Sequence, residues 1–465
     1  MSRRDNPGLF RTAVEAPAVV LDRSLRIGQV AVRALVRRKE VRRAEKYWET
    51  LGPGLVTGAA GQDPSGIATF SQTGAKYGYH FLWLAAWLYP LDANLEEMCA
   101  RIGLATGRGL AANIRAFFSR KVLFVCTLLI FVSNAINIGA DLGAMAKAVQ
   151  LLLPHANFAF LVIAFAVLSL GLQIFIPYAR YSRYLKWLAL VLLSYVVSAV
   201  LAHLNWQMVL HHAFIPQIGF SKDELIIICA VMGTTISPYL FFWQTSQEVE
   251  EQILKGELTF MQRRRGTNRR VIRNMRIDVW SGMLLSEGVM FFIIAACGGI
   301  LYPHGITNIQ TSAQAAEALR PFAGNAAYLL FAVGIIGSGL LAIPVLAGSS
   351  SYAVAESFKW REGLYRKLGR AAGFYGTIII SVAIGLVINF LGIDPIKALI
   401  YAAVINGIVA PVVMVLIVLI ASNRRIMGKW ANRLPATIFG WLTTAAMAAA
   451  GAAAIYVLAT GGSGL

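Results

Sequence analysis

A chain of 465 residues that is 57% hydrophobic and 14% charged, with apolar runs of about 20 residues recurring along it, is a polytopic membrane protein rather than a water-soluble domain. Its formal charge of +19 does not mark a nucleic-acid binder, because the basic residues fall between the apolar runs, where the positive-inside rule accounts for them. Cys99, Cys126, Cys229 and Cys297 lie inside apolar runs without metal-ligand spacing and read as small core residues, and no phosphate loop or nucleophile constellation points to an enzyme.

Residues 1–45 come first and are strongly basic. Leu25, Ile27, Val30, Val32, Leu35, Val36 and Val41 alternate with Arg26, Arg33, Arg37, Arg38, Lys39, Arg42 and Arg43. That pattern is fit to lie on an anionic inner leaflet, although the same composition also suits a poorly ordered tail. The opening MSRRDNPGLF holds no uninterrupted apolar stretch, so no cleaved signal peptide is expected. Residues 46–460 read as one transmembrane domain. Eleven spans are expected, at about 51–78, 79–103, 121–152, 157–177, 183–203, 224–253, 278–302, 323–357, 371–393, 396–421 and 436–460.

The first span reads LGPGLVTGAAGQDPSGIATFSQTGAKYGY and is interrupted in its middle by Asp63, Pro64, Ser65 and Gly66. Pro64 has no N–H and its ring clashes with the preceding turn, while Gly66 permits backbone conformations that other residues avoid. Backbone freed at that depth must find protein, water or an ion, and a carboxylate there is costly unless paired or solvated. A broken helix with an acid at the break is how many secondary transporters build a cation site. The plainer alternative is a kinked packing helix whose Asp63 bonds a neighbour.

The second span carries Asp92, Glu96, Glu97 and Arg101. Glu97 and Arg101 are one turn apart and can neutralise each other, whereas Asp92 and Glu96 need water, a proton or a cation and would line an inner exit path. All six histidines, His80, His155, His203, His211, His212 and His304, fall at outer ends or in outer loops, so no histidine proton relay through the membrane is expected.

The sixth span, LIIICAVMGTTISPYLFFWQTSQEVEE, breaks at Gly233, Thr234, Thr235, Ile236, Ser237 and Pro238. Spans 1 and 6 each open a group of five and enter from opposite sides. Paired interrupted helices in equivalent positions of two inverted halves point to a binding site. The half-helix ends bring dipoles and unsatisfied carbonyls, and Ser237 and Tyr239 add hard oxygens; taken alone, this break would be an ordinary proline kink. Glu248, Glu250 and Glu251 are expected in a wet vestibule, paired with the basic connection 254–277. In span 8, Gly334, Gly337, Ser338, Gly339, Gly348, Ser349, Ser350 and Ser351 read as a close-packing face.

With the N-terminus inside, the inner connections 104–120, 178–182, 254–277, 358–370 and 422–435 hold nearly all the loop arginines, while the outer ones hold little beyond Lys222 and Arg320. The expected location is therefore a bacterial cytoplasmic membrane, N-terminus inside and C-terminus outside.

Several stretches resemble the Nramp family of divalent-metal transporters. GPGLVTGAAGQDP and GAKYGY resemble its first helix, ARIGLATGRGLA at 100–111 the end of its second, GADLGAMA at 139–146 its third, and SNRRIMG at 422–428 the segment after its tenth. The resemblance implies an all-α, LeuT-like fold of two inverted five-helix repeats, about 51–203 and 224–421, plus an eleventh helix, with helices 1 and 6 discontinuous. It implies Asp63 as a metal ligand, with the backbone carbonyls of Ala60 and Thr234. The departures are as informative. Gly66 stands where the family's Asp-Pro-Gly-Asn has Asn, and Ser237, Pro238 and Tyr239 stand for its Met-Pro-His. Asp141 matches a family acid, but the glutamate three residues on is Ala144; the family's helix-10 glutamine falls near Ala403, with Asn406 one turn later as a substitute. The Nramp-related magnesium transporter branch departs from the parent family at these same positions.

A thioether is soft and favours manganese, iron or cadmium over calcium and magnesium. Without Met and Asn, one carboxylate, hydroxyls and carbonyls remain, which suits a hard ion that keeps part of its water. The expected function is alternating-access movement of a divalent cation, magnesium or else manganese, not tightly coupled to protons because Tyr239 and Ala144 replace titrating residues. The metal site would comprise Asp63, Gly66, Ser237, Tyr239, Ala60 and Thr234, with Asp141, Asn406, Asp92 and Glu96 along the pathway. No cofactor and no nucleic-acid partner are expected, and the chain is read as a monomer among membrane lipids. Two other readings stay open: a proton-coupled manganese or iron carrier, and a carrier of a small organic molecule on the same fold.

Overall fold

The computed structural model describes residues 46–460 apart from 177, 202–203, 218, 220, 308, 310–311 and 392–394. The basic segment 1–45 and His203 lie outside the described residues. The chain separates after Leu51 into two units. Of the first, residues 46–51 are described, helical over 46–50; the second carries every element named below.

Every regular element among the described residues is helical. Span 1 is two helices, α1 (Pro53–Ala60) and α2 (Pro64–Tyr77), and span 2 is α3 (Trp83–Thr106). A short α4 (Leu110–Phe117) precedes span 3, α5 (Arg120–Leu152), and span 4 is α6 (Phe158–Phe175). Span 5 runs from α7 (Tyr178–Leu188) through a 3-10 turn into α8 (Leu193–Leu201), followed by α9 (Trp206–Phe214). Span 6 is again double, α10 (Lys222–Thr235) and α11 (Pro238–Leu254). Then come α12 (Phe260–Gly266), span 7 as α13 (Arg269–Ile300), α14 (Ser312–Phe358), span 9 as α15 (Ala372–Ile388), span 10 as α16 (Pro395–Ser422), the single turn α17 (Arg424–Met427) and span 11 as α18 (Leu434–Ala459). Gly324, at φ 81, interrupts α14, so that span 8 proper is Gly324–Phe358.

Among the described residues, eight helices are long and apolar enough to cross a membrane. The three expected spans outside that set have visible reasons. Span 1 is cut in two, α3 carries four charged side chains in Asp92, Glu96, Glu97 and Arg101, and α15 has 17 residues.

Several connections expected as loops are partly helical. In 254–277, Thr259 and Gln262 bond each other's backbone in a capping box that starts α12. Asn268 Oδ1 then accepts the N–H groups of Arg270 (2.9 Å) and Val271 (3.1 Å), so α13 begins well before the apolar run does. In 104–120, α4 is held at its first turn by an acid from far along the chain: Glu356 Oε2 accepts the Ala112 N–H at 2.8 Å.

Glycines set the spacing of the central helices. A Cβ on Gly58 would lie 2.1 Å from the Gly282 carbonyl oxygen, one on Gly74 2.6 Å from that of Ile294, and one on Gly298 2.6 Å from that of Gly78. Both halves of span 1 thus lie backbone to backbone on α13. On the other side α16 meets α10 at Gly233, where a Cβ would lie 2.2 Å from the Ala403 carbonyl. The small residues of span 8 pack as expected, Gly334 under Tyr195, Gly337 under Val191 and Gly348 under Trp243.

Candidate functional site

Both breaks follow from an X-Pro pair. A residue before proline is pushed out of the helical region, and proline itself is at home as the first residue of a new helix. Asp63 accordingly sits at ψ 167 before α2, and Ser237 at ψ 131 before α11. The two spots then resolve differently. Asp63 caps its own helix: its Oδ1 accepts the Gly66 N–H at 2.8 Å and the Ser65 hydroxyl at 2.5 Å. Ser237 caps nothing; its hydroxyl lies 2.8 Å from the Gly233 carbonyl and 2.9 Å from that of Thr234, at the end of α10.

The breaks meet. The Tyr239 hydroxyl, on the first turn of α11, lies 3.1 Å from the Ala60 carbonyl and 3.4 Å from Asp63 Oδ2, so its one proton is shared between the two halves of span 1 where they face each other. A Cβ on Gly66 would lie 3.0 Å from Thr234 Oγ1 and 3.6 Å from Asp63 Oδ1. Asp63 is 1% exposed and Tyr239 fully buried. Among the described residues no basic side chain forms an ion pair with Asp63. One carboxylate oxygen is therefore spent on the cap, and the other has only a long contact to a phenol. The Ala60 and Thr234 carbonyls each accept one hydroxyl and keep a second lone pair. Thr234 offers more than the carbonyl expected of it, because its hydroxyl is buried without a hydrogen-bond partner.

Asp141, on α5, is fully buried with both oxygens unpartnered, and lies close enough to Asp63 for their charges to interact. One turn on, Met145 packs on Gly339, which abuts Pro64. Asn406, on α16, stands beside the other break: its Oδ1 accepts the Ser133 hydroxyl, its Nδ2 is unpartnered, and the next residue, Gly407, packs on Cys229 and Gly233. Asp92 and Glu96 go elsewhere. They gather with Glu287 of α13 in a second buried acidic group, none of whose six carboxylate oxygens has a hydrogen-bond partner. Among the described residues no three or more His, Cys, Asp or Glu side chains converge as a metal cage. Around the breaks the chemistry is two acids, hydroxyls and carbonyls, an arrangement able to hold a dication partly through its water.

Two expectations are corrected. None of Glu248, Glu250 and Glu251 forms an ion pair with the arginines of 254–277 among the described residues. Glu250 Oε1 instead accepts the Tyr352 hydroxyl at 2.6 Å and the Leu364 N–H at 2.8 Å. Glu248 accepts from Gln244 Nε2 at 3.0 Å, and Gln244 Oε1 takes the Thr57 hydroxyl. The cause is that α11 buries this face against α14 and α1, out of reach of the arginines. Glu97, for its part, does not settle with Arg101 alone. Its oxygens accept from Arg276 at 2.9 and 2.8 Å and from Trp280 Nε1 at 2.9 Å, and Arg101 stands off at 3.7 Å.

The sequence reading passed over Asp278 and Glu287. Asp278 holds the start of α1, accepting the N–H groups of Gly52 (2.7 Å), Gly54 (2.7 Å) and Leu55 (3.0 Å). Its partners lie more than 220 residues away, and it borders an arginine run, so nothing local marked it. Glu287 sits inside the apolar run LLSEGVMFF, and the rarity of acids at that depth was signal enough to find it.

Comparison with known proteins agrees with this architecture. The Nramp family model, described as natural resistance-associated macrophage protein-like, matches residues 54–457. The chain is 24% identical over 410 residues to a divalent metal cation transporter, MntH, of Caldanaerobacter subterraneus subsp. tengcongensis, covering 86% of this chain and 90% of that one. It is similar in structure to the Eremococcus coleocola manganese transporter in complex with an aromatic bis-isothiourea substituted compound, at a TM-score of 0.69 and 18% identity, over 90% of this chain and 87% of the other. A nucleobase-cation-symport-1 family transporter in a closed conformation is similar at a TM-score of 0.55 and 13% identity, over 88% of this chain and 93% of that one. At these identities the structural likeness speaks for the fold, a LeuT-like arrangement with spans 1 and 6 discontinuous.

Proposed function

Because this chain belongs to the Nramp family, we propose that it moves a divalent metal cation across the membrane, with magnesium as its substrate. The observation that carries this reading is the pairing of the two breaks around Asp63. One carboxylate oxygen is left open beside the Tyr239 hydroxyl and the Ala60 carbonyl, and Asp141 stands near with both oxygens unpartnered. Two acids without a basic partner repel each other, and a dication between them satisfies both. Ser237 stands where the family has its methionine and Gly66 where it has its asparagine. The remaining groups are hard oxygens, which favour an ion that keeps several waters.

Transport is driven by the ion gradient and the membrane potential. For a dication, 100 mV inside-negative supplies about 4.6 kcal/mol, twice the single-charge value. The arginine asymmetry of the connections supports an N-inside, C-outside orientation. A second reading, manganese carried with protons, is favoured by the names of the relatives, a divalent metal cation transporter and a manganese transporter.

Uptake by the reconstituted protein, compared for magnesium, manganese, calcium and cadmium with and without a pH gradient, decides between them. The expected outcome is magnesium uptake that a pH gradient does not change and that Asp63→Ala abolishes. Cadmium outcompeting magnesium by orders of magnitude, or a proton flux strictly tied to metal uptake, overturns the magnesium reading.

A further inference from the structure

Away from the breaks, a cavity of about 810 Å³ opens between α3, the first turns of α13 and the turn leading into α18. Arg269, Arg273 and Arg276 enter it from successive turns of α13, Arg101 from α3, and Lys429 and Arg433 from the turn before α18. Against these six cations stands one acid, Glu97, and both of its oxygens are already engaged by Arg276 and Trp280. Arg101 donates to Asn432 Oδ1 at 2.5 Å. The guanidinium groups of Arg269, Arg273 and Arg433 have no ion pair or hydrogen bond among the described residues. Such a concentration of unneutralised guanidinium groups in one concavity is a ready site for a phosphate.

The rest of the wall is apolar. Ile272 belongs to the core cluster behind the cavity, with Trp280 and Trp430 packed against it. Phe439 stands at the mouth, and from there the exposed Ile438 and Leu442 continue along α18. Cations at one end and an uncovered hydrocarbon face leading away from them match an amphiphile better than a free anion. The cavity also lies at the arginine-rich ends of its helices, the face that the charge distribution assigns to the cytoplasm, where anionic headgroups collect.

We infer that this cavity binds the phosphate headgroup of an anionic phospholipid, with Arg269, Arg273 and Arg433 on the phosphate and the acyl chains along Phe439 and the outer face of α18. Arg276 ties the occupied cavity to Glu97 of α3, and two residues on along α13 is Asp278, which holds α1.

Native mass spectrometry of the full-length protein, released from micelles holding equal amounts of phosphatidylglycerol and phosphatidylcholine, tests this. Phosphatidylglycerol is expected to be retained and phosphatidylcholine not. Arg273→Gln with Arg433→Gln should lower that retention at least about tenfold, the effect of two charges near a membrane surface. Arg265→Gln with Arg361→Gln, the same charge change outside the cavity, should leave it unaltered. Added inorganic phosphate should not displace the lipid. Equal retention of the two lipids, an equal loss in the control variant, or displacement by phosphate alone each overturns the proposal. Should the double variant not fold, Lys429→Gln carries the test alone with a few-fold loss, and an unchanged retention there is equally decisive.

Discussion

Two sets of buried acids run through this molecule, and they differ in how many donors reach them. Asp278 accepts three backbone N–H groups, Glu250 a hydroxyl and an amide, and Glu356 the amide that starts α4. Nearer the breaks, Asp63 has one oxygen with only a distant phenol, and Asp141 has none satisfied. A buried carboxylate surrounded by donors is part of the scaffold: it replaces lost water with fixed dipoles and holds a helix end in place. One left open at that depth is poised for a charge that comes and goes. The group of Asp92, Glu96 and Glu287 falls on the open side of this division.

Substitutions at Asp63 and Asp278 set the two sets directly against each other. Asp63→Asn keeps an acceptor for the Gly66 N–H and removes the charge, so the fold should survive while uptake falls at least about 100-fold, a loss of roughly 3 kcal/mol of cation binding. Tracer uptake and Tm measured on the same preparation check this, and a variant that still transports would erase the distinction. Asp278→Asn should do the reverse. Three amides are left to share one neutral acceptor, at a cost of about 2–4 kcal/mol seen as a lower Tm in detergent, and hydrogen exchange at Gly54 and Leu55 should quicken.

Ser237→Met exchanges a hard hydroxyl for a soft thioether at the second break. It should move selectivity from magnesium toward cadmium by about tenfold, read from competition in the uptake assay, with a lower Tm because the buried hydroxyl's bonds to Gly233 and Thr234 are lost. A pH dependence is expected outside the spans. Burial, with the charge of Glu356 adding to it, pushes the Glu362 carboxyl from its ordinary 4.5 up to about 9. An acid whose folded value is raised stays protonated in the native state while the unfolded chain ionises, so stability falls as pH rises between those values. Glu362→Gln should flatten that fall in Tm, leaving uptake by the breaks unchanged; an unaltered slope would mean the group is solvated.

Much of this was legible in the sequence because the breaks are written in local chemistry. Asp63-Pro64 and Ser237-Pro238 dictate their own backbone, and apolar runs interrupted there locate two half-helix pairs without any knowledge of what faces them. Tyr239 was legible as an oxygen at the break, though not as the group that bridges Ala60 and Asp63. Asp278 was illegible because its role depends on amides that only folding brings to it. The glutamates of span 6 were misplaced for a related reason: the neighbouring basic connection 254–277 suggested pairing, but the burial of Glu248 and Glu250 on α11 decided otherwise. Gly58 and Gly282 look like any other membrane glycines until the two helices are laid side by side.

That bare seam along α13 has a mechanical consequence. At Gly58, Gly74 and Gly298 no side chain separates the two backbones, so at these points the halves of span 1 meet little to climb over in a lengthwise shift. On the transport reading proposed above, a movement that presents Asp63 first to one bathing solution and then to the other would run along this seam, with Asp278 fixing the tip of α1 to α13.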